Sequence, residues 1–280
     1  MKTKYAIYVL FLLTMLSCKE EWELKQNVIF YSSFDKGTTA EVATGDSKIY
    51  TAESFDKKDN EEKGVKSDNV RIAEGKGLVG DALGFFAKGD EIIFYKAKNN
   101  VAYNKDQWSL AVSFWLQIDP DKDLVTKYCD PIQITDAKYN DAALWVDFND
   151  KSPRDFRLGV IGDNDAWYIK DSDEAPILEK RLVTVNNPSF GHGKWTHVVM
   201  NISKLNTDLA KHELFVDGEF KGEVSDINDP FTWDEEKARI MLGINYIGLM
   251  DELAIFNKVL TQEEIRRVFD AKGGLKELLN

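Results

Sequence analysis

Gly248-Leu249-Met250-Asp251-Glu252-Leu253-Ala254-Ile255-Phe256-Asn257-Lys258-Val259-Leu260-Thr261-Gln262-Glu263-Glu264-Ile265 is the stretch that decides the architecture of this chain. Its first half reads as a strand in which Leu249, Asp251, Leu253 and Ile255 share one face by two-residue alternation. Asp251 is thereby placed among apolar neighbours, where a carboxylate needs a cation, a metal or several hydrogen-bond donors. The second half starts a helix. Thr261 and Glu264 form a T-x-x-E capping box, and Leu260 is placed to staple onto Ile265. Ile265, Val268 and Phe269 fall on one helical face, and Gly273-Gly274 can end the helix.

Upstream the chain is mostly strands. Alternating or apolar runs occur at residues 27–33, 83–86, 91–95, 108–118, 131–135, 142–148, 156–161, 194–203, 212–216, 219–224 and 238–245. Asp217-Gly218 between two of them is a tight-hairpin signal. Many strands and one late helix predict a sandwich or barrel. No internal repeat and no long Pro- or Ser-rich linker divides the chain, and the charged stretch 56–66 reads as a surface excursion.

Several short runs occur in a fixed order: Tyr31-Ser32-Ser33-Phe34-Asp35, Gly80-Asp81-Ala82-Leu83, Trp108 to Trp115, Trp195-Thr196-His197-Val198-Val199, Leu214-Phe215-Val216-Asp217-Gly218, Gly243-Ile244 and the closing run. Together they resemble the laminin-G-like, concanavalin A-like jelly-roll family. The resemblance implies an all-β, two-sheet antiparallel jelly-roll sandwich with one short C-terminal helix, spanning residues 28–280. Residues 119–140 and 163–193 are less typical of the family and are expected to shape a rim. The resemblance also implies a calcium site, with Asp35 and Asp251 as metal ligands assisted by backbone carbonyls. Such an ion takes six to eight oxygens and would pin the first strand to the last.

Alternation sorts the central strands into two sets of side chains. One set (Leu110, Val112, Phe114 and Leu116; Leu144, Val146 and Phe148; Phe156, Leu158 and Val160; Val198, Met200 and Ile202; Leu214 and Val216) makes a core. The opposite set contains Trp115, Trp145, Asp147, Arg157, His197, Asn201, Glu213 and Phe215. If these strands share one sheet, that face mixes aromatics with fixed polar groups. Sugars suit such a face, because their CH surfaces stack on rings while their hydroxyls find hydrogen-bond partners. The competing reading makes the same residues a second core layer under covering loops.

Catalysis has less support. The glycoside hydrolases of this scaffold carry E-x-D-x-x-E, since two carboxylates must flank the scissile bond. The nearest match, Trp145-Val146-Asp147-Phe148-Asn149-Asp150, has Trp where the nucleophile belongs. His197, Arg157 and a tyrosine could serve a lyase, though nothing in the sequence brings them together. Asp163-Asn164-Asp165 to Glu174 is no calcium loop, because Trp167 and Tyr168 stand where an oxygen ligand and glycine are needed. The reading is a non-catalytic, lectin-like carbohydrate-binding protein with a polysaccharide or glycan as partner. The alternatives are a divergent glycoside hydrolase or polysaccharide lyase, or a protein-binding adhesion module.

The N-terminus reads as an export signal over residues 1–17: Lys2 and Lys4, an apolar run, then Ser17-Cys18. Met15-Leu16-Ser17-Cys18 resembles a bacterial lipobox, which implies lipidation of Cys18. Lys19-Glu20-Glu21 resembles the acidic export tag of surface lipoproteins. Residues 18–27 then serve as a tether, and the expected location is the outer membrane, lipid-anchored at the cell surface. With Cys18 lipidated, Cys129 is the one thiol left and no intrachain disulfide can form. The formal net charge is −12 and becomes −14 once Lys2 and Lys4 leave with the signal. Such an acidic body excludes nucleic acid as a partner and leaves the lipid as the membrane contact.

Overall fold

The computed structural model describes residues 24–125, 127–169 and 173–279. Its strands are β1 (Val28–Ser32), β2 (Val42–Ala43), β3 (Ile49–Ala52), β4 (Glu62–Lys63), β5 (Val70–Ala73), β6 (Ala82–Phe85), β7 (Ile92–Lys96), β8 (Trp108–Gln117), β9 (Cys129–Lys138), β10 (Asp141–Phe148), β11 (Phe156–Ile161), β12 (Leu182–Val185), β13 (Thr196–Leu205), β14 (Lys211–Val216), β15 (Glu219–Ser225), β16 (Arg239–Ile244) and β17 (Gly248–Phe256). They form two antiparallel sheets. The first runs β15-β14-β13-β8-β17-β1-β2, with β6 joined to β17 and β5 to β6. The second runs β12-β11-β10-β9-β16-β7-β3-β4.

The interior between the sheets is the set that alternation picks out. Leu110, Val112, Phe114 and Leu116 of β8 meet Leu144, Val146 and Phe148 of β10 and Phe156 and Leu158 of β11 in one buried cluster. Burying each such side chain contributes about 1.5–3 kcal/mol, so this layer is the main source of stability in a body with no disulfide among its described residues. The β14–β15 hairpin turns at Asp217 and Gly218, both with positive φ (52° and 73°), as a two-residue hairpin turn requires. The strands that sequence patterning passes over, β2 to β5 and β12, have two to four residues, too few to show a period.

The closing strand departs from simple alternation. A bulge lies between Asp251 and Ala254, and Glu252 adopts φ 53°. Met250, Leu253 and Ile255 therefore face the core. Asp251 lies opposite Trp115, on the outer side of the first sheet rather than on the face of Leu253 and Ile255. An inserted residue shifts the parity of everything after it.

The helix after β17 spans Gln262–Asp270 and begins with the expected capping box: Thr261 Oγ1 accepts from Glu264 N, and Thr261 N donates to Glu264 Oε2 at 2.8 Å. A second short helix, Leu275–Leu279, follows it, and single turns occur elsewhere. Among the described residues no helix is long and apolar enough to cross a membrane. Residues 24–27 are helical and Leu24 is fully buried against the first sheet, so the folded body takes in four residues that the sequence reading assigns to the tether. The signal segment, Cys18 and the rest of the tether lie outside the described residues.

Candidate functional site

The structure divides the sequence-derived ligand set between the outer faces of two different sheets. Trp115, His197, Asn201 and Phe215 lie on β8, β13 and β14 of the first sheet, whereas Trp145, Asp147 and Arg157 lie on β10 and β11 of the second. They cannot form one surface. Two-residue alternation assigns a side chain to a face, but it does not say which sheet owns the strand.

The first-sheet group is buried. The Gln262–Asp270 helix lays its apolar side across that face, and Ile265 and Val268 join Tyr31, Ala111, Val199 and Phe215 in a second cluster. Phe269 stacks on Trp115 with ring centroids 5.7 Å apart and planes 12° apart. Asn201 spends its amide on one residue, donating to Leu260 O at 2.8 Å and accepting from Leu260 N at 3.0 Å. These bonds position the entry to the helix. His197 is bonded to Ser113 Oγ at 2.9 Å through Nε2, and burial pushes its pKa down to about 3. It is a neutral core residue on the sheet opposite Arg157, which removes the pairing that lyase chemistry needs.

The second sheet carries a cavity of about 960 Å³ on its outer face. Its lining residues Leu182, Trp145 and Gln133 belong to one register row, in which Leu182, Gly159, Trp145, Gln133, Met241, Phe94 and Tyr50 stand side by side on successive strands. The indole of Trp145 lies over Gly159, where any Cβ would collide with it. Its Nε1 donates to Tyr139 O at 2.8 Å, and Leu182, Ile177 and Leu178 pack around it. At 2% exposure Trp145 is a wall of the cavity rather than a stacking platform. The rings open to solvent there are Tyr128 and Tyr139, 49% and 46% exposed. Sequence reasoning missed both because they sit on loops, outside any alternating run.

The polar floor is built from adjacent strands. Arg157 and Asp147 are direct cross-strand neighbours. Arg157 Nε donates to Asp147 Oδ1 at 2.8 Å, and Nη2 makes the parallel bond to Oδ2. The guanidinium lies 5.0 Å from the Tyr128 ring centre and 5.7 Å from that of Trp145, a distance at which a cation is attracted to a ring face. Asp130 completes the acidic side. Burial, and then repulsion from Asp147, raise its pKa well above the carboxylate range against the pull of Arg157. Asp130 escapes alternation because β9 is irregular between Cys129 and Ile132. Pro131, which has no N–H for the ladder, is the sequence mark of that irregularity. Gln133 is almost fully buried, and its Nε2 has no hydrogen-bond partner. Alternation places it outward between Ile132 and Ile134, so it was findable.

The two atypical segments stand at this cavity. Residues 119–140 bring Tyr128, Lys138 and Tyr139, and residues 163–193 bring Asp173, Leu178 and Glu179. The short helix Glu174–Glu179, capped by Asp173 Oδ1 accepting from Ala175 N at 3.2 Å, forms one flank.

Asp35 and Asp251 each contact the glycine-rich loop of residues 75–81. Asp251 is fully buried and accepts from Leu78 N at 2.7 Å and Glu252 N at 2.8 Å. Burial, and then the charge of Glu252, push its pKa up to about 8. Asp35 Oδ1 accepts from Asp81 N at 2.9 Å. Glu252, raised to about 6 mainly by burial, accepts from Tyr31 Oη at 2.8 Å and from Leu275 N. Beside Gly77, the atoms nearest to a side chain built there are Asp81 O, Val79 O at 2.7 Å and Asp251 Oδ2 at 2.8 Å. This cradle of oxygens admits only glycine. Carboxylate and carbonyl oxygens suit a hard cation such as Ca²⁺, and among the described residues no group of three or more His, Cys, Asp or Glu is placed to hold a metal by side chains alone.

A laminin-G family model, described as the concanavalin A-like lectin/glucanases superfamily, matches residues 95–266. The chain belongs to the concanavalin A-like lectin/glucanases superfamily. No curated protein matches this superfamily member. Among solved structures it is similar to domain 4 of AbnA, an extracellular arabinanase from Geobacillus stearothermophilus in complex with arabinotriose, with TM-score 0.52 and 19% identity over 86% of this chain and 98% of that one. It is similar to the binding domain of botulinum neurotoxin DC in complex with SialylT, with TM-score 0.58 and 14% identity over 89% of this chain and 52% of that one. The same toxin domain in complex with rat synaptotagmin II gives TM-score 0.57 and 12% identity over 89% and 52%. The chain thus spans about half the length of the toxin domains. At these identities the likeness is one of fold.

Proposed function

We propose that this protein is a non-catalytic carbohydrate-binding protein whose ligand enters the cavity on the outer face of the second sheet. The observation that carries the reading is the buried, unpartnered amide of Gln133 on the floor of an open cavity beside two exposed tyrosines. A buried donor without a partner costs about 1–3 kcal/mol, and a sugar hydroxyl would supply the missing acceptor. Tyr128, held on one side by Arg157, offers its other side for stacking. Structural relatives captured with arabinotriose and SialylT support carbohydrate as the ligand class. The position that would hold a hydrolase nucleophile is the buried Trp145, which supports recognition rather than cleavage.

A glycan array and affinity electrophoresis in polysaccharide gels test this reading, with Tyr128→Ala and Gln133→Ala beside the unaltered protein. Binding that weakens in both variants, with the fold intact by circular dichroism, is the expected result. Binding unaffected by either variant would move the site elsewhere, and release of reducing sugar would make the protein an enzyme.

We also propose a structural Ca²⁺ bound by Asp35 and Asp251 with the carbonyls of Val79 and Asp81, tying the loop after β5 to β17. Lipidation of Cys18, with display at the outer-membrane surface, completes the proposal. Intact-mass measurement of the membrane fraction, with Cys18→Ala as the unlipidated control, tests it; equal masses apart from the substitution would sink it.

A further inference from the structure

The cavity proposed as the glycan site has a charge pattern that limits what can enter. Asp or Glu stands at seven lining positions, and the lining cations are Lys138 and Arg157. Arg157 is already charge-paired with Asp147, which accepts from its Nε and Nη2, so the pair brings no net positive charge to an incoming anion. Lys138 is an exposed residue at the end of β9. Carboxylates and sulfates are recognised by paired, charge-assisted donors, and this floor offers instead a neutral amide, Gln133, between carboxylates. A cleft lined by one sign of charge with low-dielectric walls also focuses the field and repels ions of that sign before they dock.

Building on the carbohydrate reading above, we infer that the cavity selects glycans without negative charge and rejects uronic, sialylated and sulfated chains. Glu91 and Glu179 line it together with Asp90, and Asp56 and Asp173 add a second acidic group. An added anion meets both groups at once. Uncharged hydroxyls, by contrast, can donate to Asp130 and accept from Gln133.

Affinity electrophoresis of the full chain in gels containing neutral polymers (arabinan, xylan, mannan) or anionic ones (polygalacturonate, alginate, heparin), at low and high salt, tests the inference. Retardation by a neutral polymer, weakened about tenfold by Tyr128→Ala, with every anionic polymer at least about tenfold weaker at low salt, is expected. The triple variant Asp90→Asn, Glu91→Gln, Glu179→Gln should gain retention by the anionic polymers. An anionic polymer that retards the unaltered protein as strongly as a neutral one overturns the charge selection while leaving the carbohydrate reading intact. Retardation by no polymer, neutral or anionic, with the array also blank, overturns the carbohydrate reading, and the charge selection with it.

Discussion

On the outer face of the first sheet, Trp115 is stacked under Phe269 and His197 is sealed from solvent. On the outer face of the second, Tyr128 stands half exposed over Arg157 beside an open cavity. Both faces start from the same material, aromatic and polar residues alternating with core residues along each strand. What separates them is a covering element. The Gln262–Asp270 helix has an apolar side long enough to close the first face, whereas the Glu174–Glu179 helix shields only the flank around Trp145. An aromatic–polar stripe is therefore a second core where an amphipathic helix covers it and a solvent-open face where none does.

The largest effect expected from breaking this contrast is on the covered side. Trp115→Ala should cost about 3–5 kcal/mol of stability, read by urea unfolding, with glycan affinity unchanged in the folded fraction. A loss below about 1 kcal/mol would mean that this face is not a second core.

Calcium should come next. An ion at hundredfold excess over its Kd stabilises by about 2.7 kcal/mol, so chelation should lower the Tm. Because Asp251 has its pKa pushed up to about 8, protons compete with the ion, and the Ca²⁺-dependent rise in Tm should be larger at pH 8 than at pH 5. A Tm indifferent to chelator at both pH values would remove the ion.

Acid should act on the covered face through its histidine. His197 and His212 have pKa values lowered to about 3 and about 4 by burial, below the unfolded value of about 6.5. Between those values the unfolded chain binds more protons. The histidine contribution is therefore complete above about pH 6.5 and is lost toward pH 3, at up to about 1.4 kcal/mol per histidine per pH unit. Asp251 and Glu252 work in the opposite sense. Their pKa values are raised in the fold, so their contribution is present below about pH 4 and is lost as pH rises through about 6 and about 8. Urea midpoints from pH 7 to pH 4 in chelator, for the protein and for His197→Gln, separate the two, and an unchanged pH slope in the variant would show that His197 is not the acid-sensitive group.

The smallest effect on stability, and the one that sharpens the contrast most, is on the open side. Tyr128→Ala should weaken binding about tenfold, or about 1.4 kcal/mol, yet shift stability by no more than about 0.5 kcal/mol. A large loss of stability there would make Tyr128 a packing residue like Trp115.

Much of this fold is legible in the order of the amino acids. The capping box of Thr261 and Glu264, the hairpin at Asp217-Gly218, the longer strands and the inward set from Leu110 to Leu214 all follow from neighbours a few residues apart. Asp130 and Gln133 show where legibility ends. Gln133 obeys alternation and can be read, whereas Asp130 depends on an irregularity that only Pro131 hints at. Alternation rightly gives Asp251 a buried setting but puts it on the wrong face, because the bulge at Glu252 shifts the parity.

By itself the sequence determined the longer strands, their inward faces, the capped helix and the family, since propensity, period and turn chemistry act over short stretches of chain. Only the tertiary structure decided which sheet each strand joins, which outer face the last helix covers, and that Tyr128, Asp130, Gln133 and Arg157 share one cavity. Those outcomes rest on pairings such as Trp115 with Asp251 and Gln133 with Met241, about a hundred or more residues apart, where packing of whole layers rather than local preference sets the free energy.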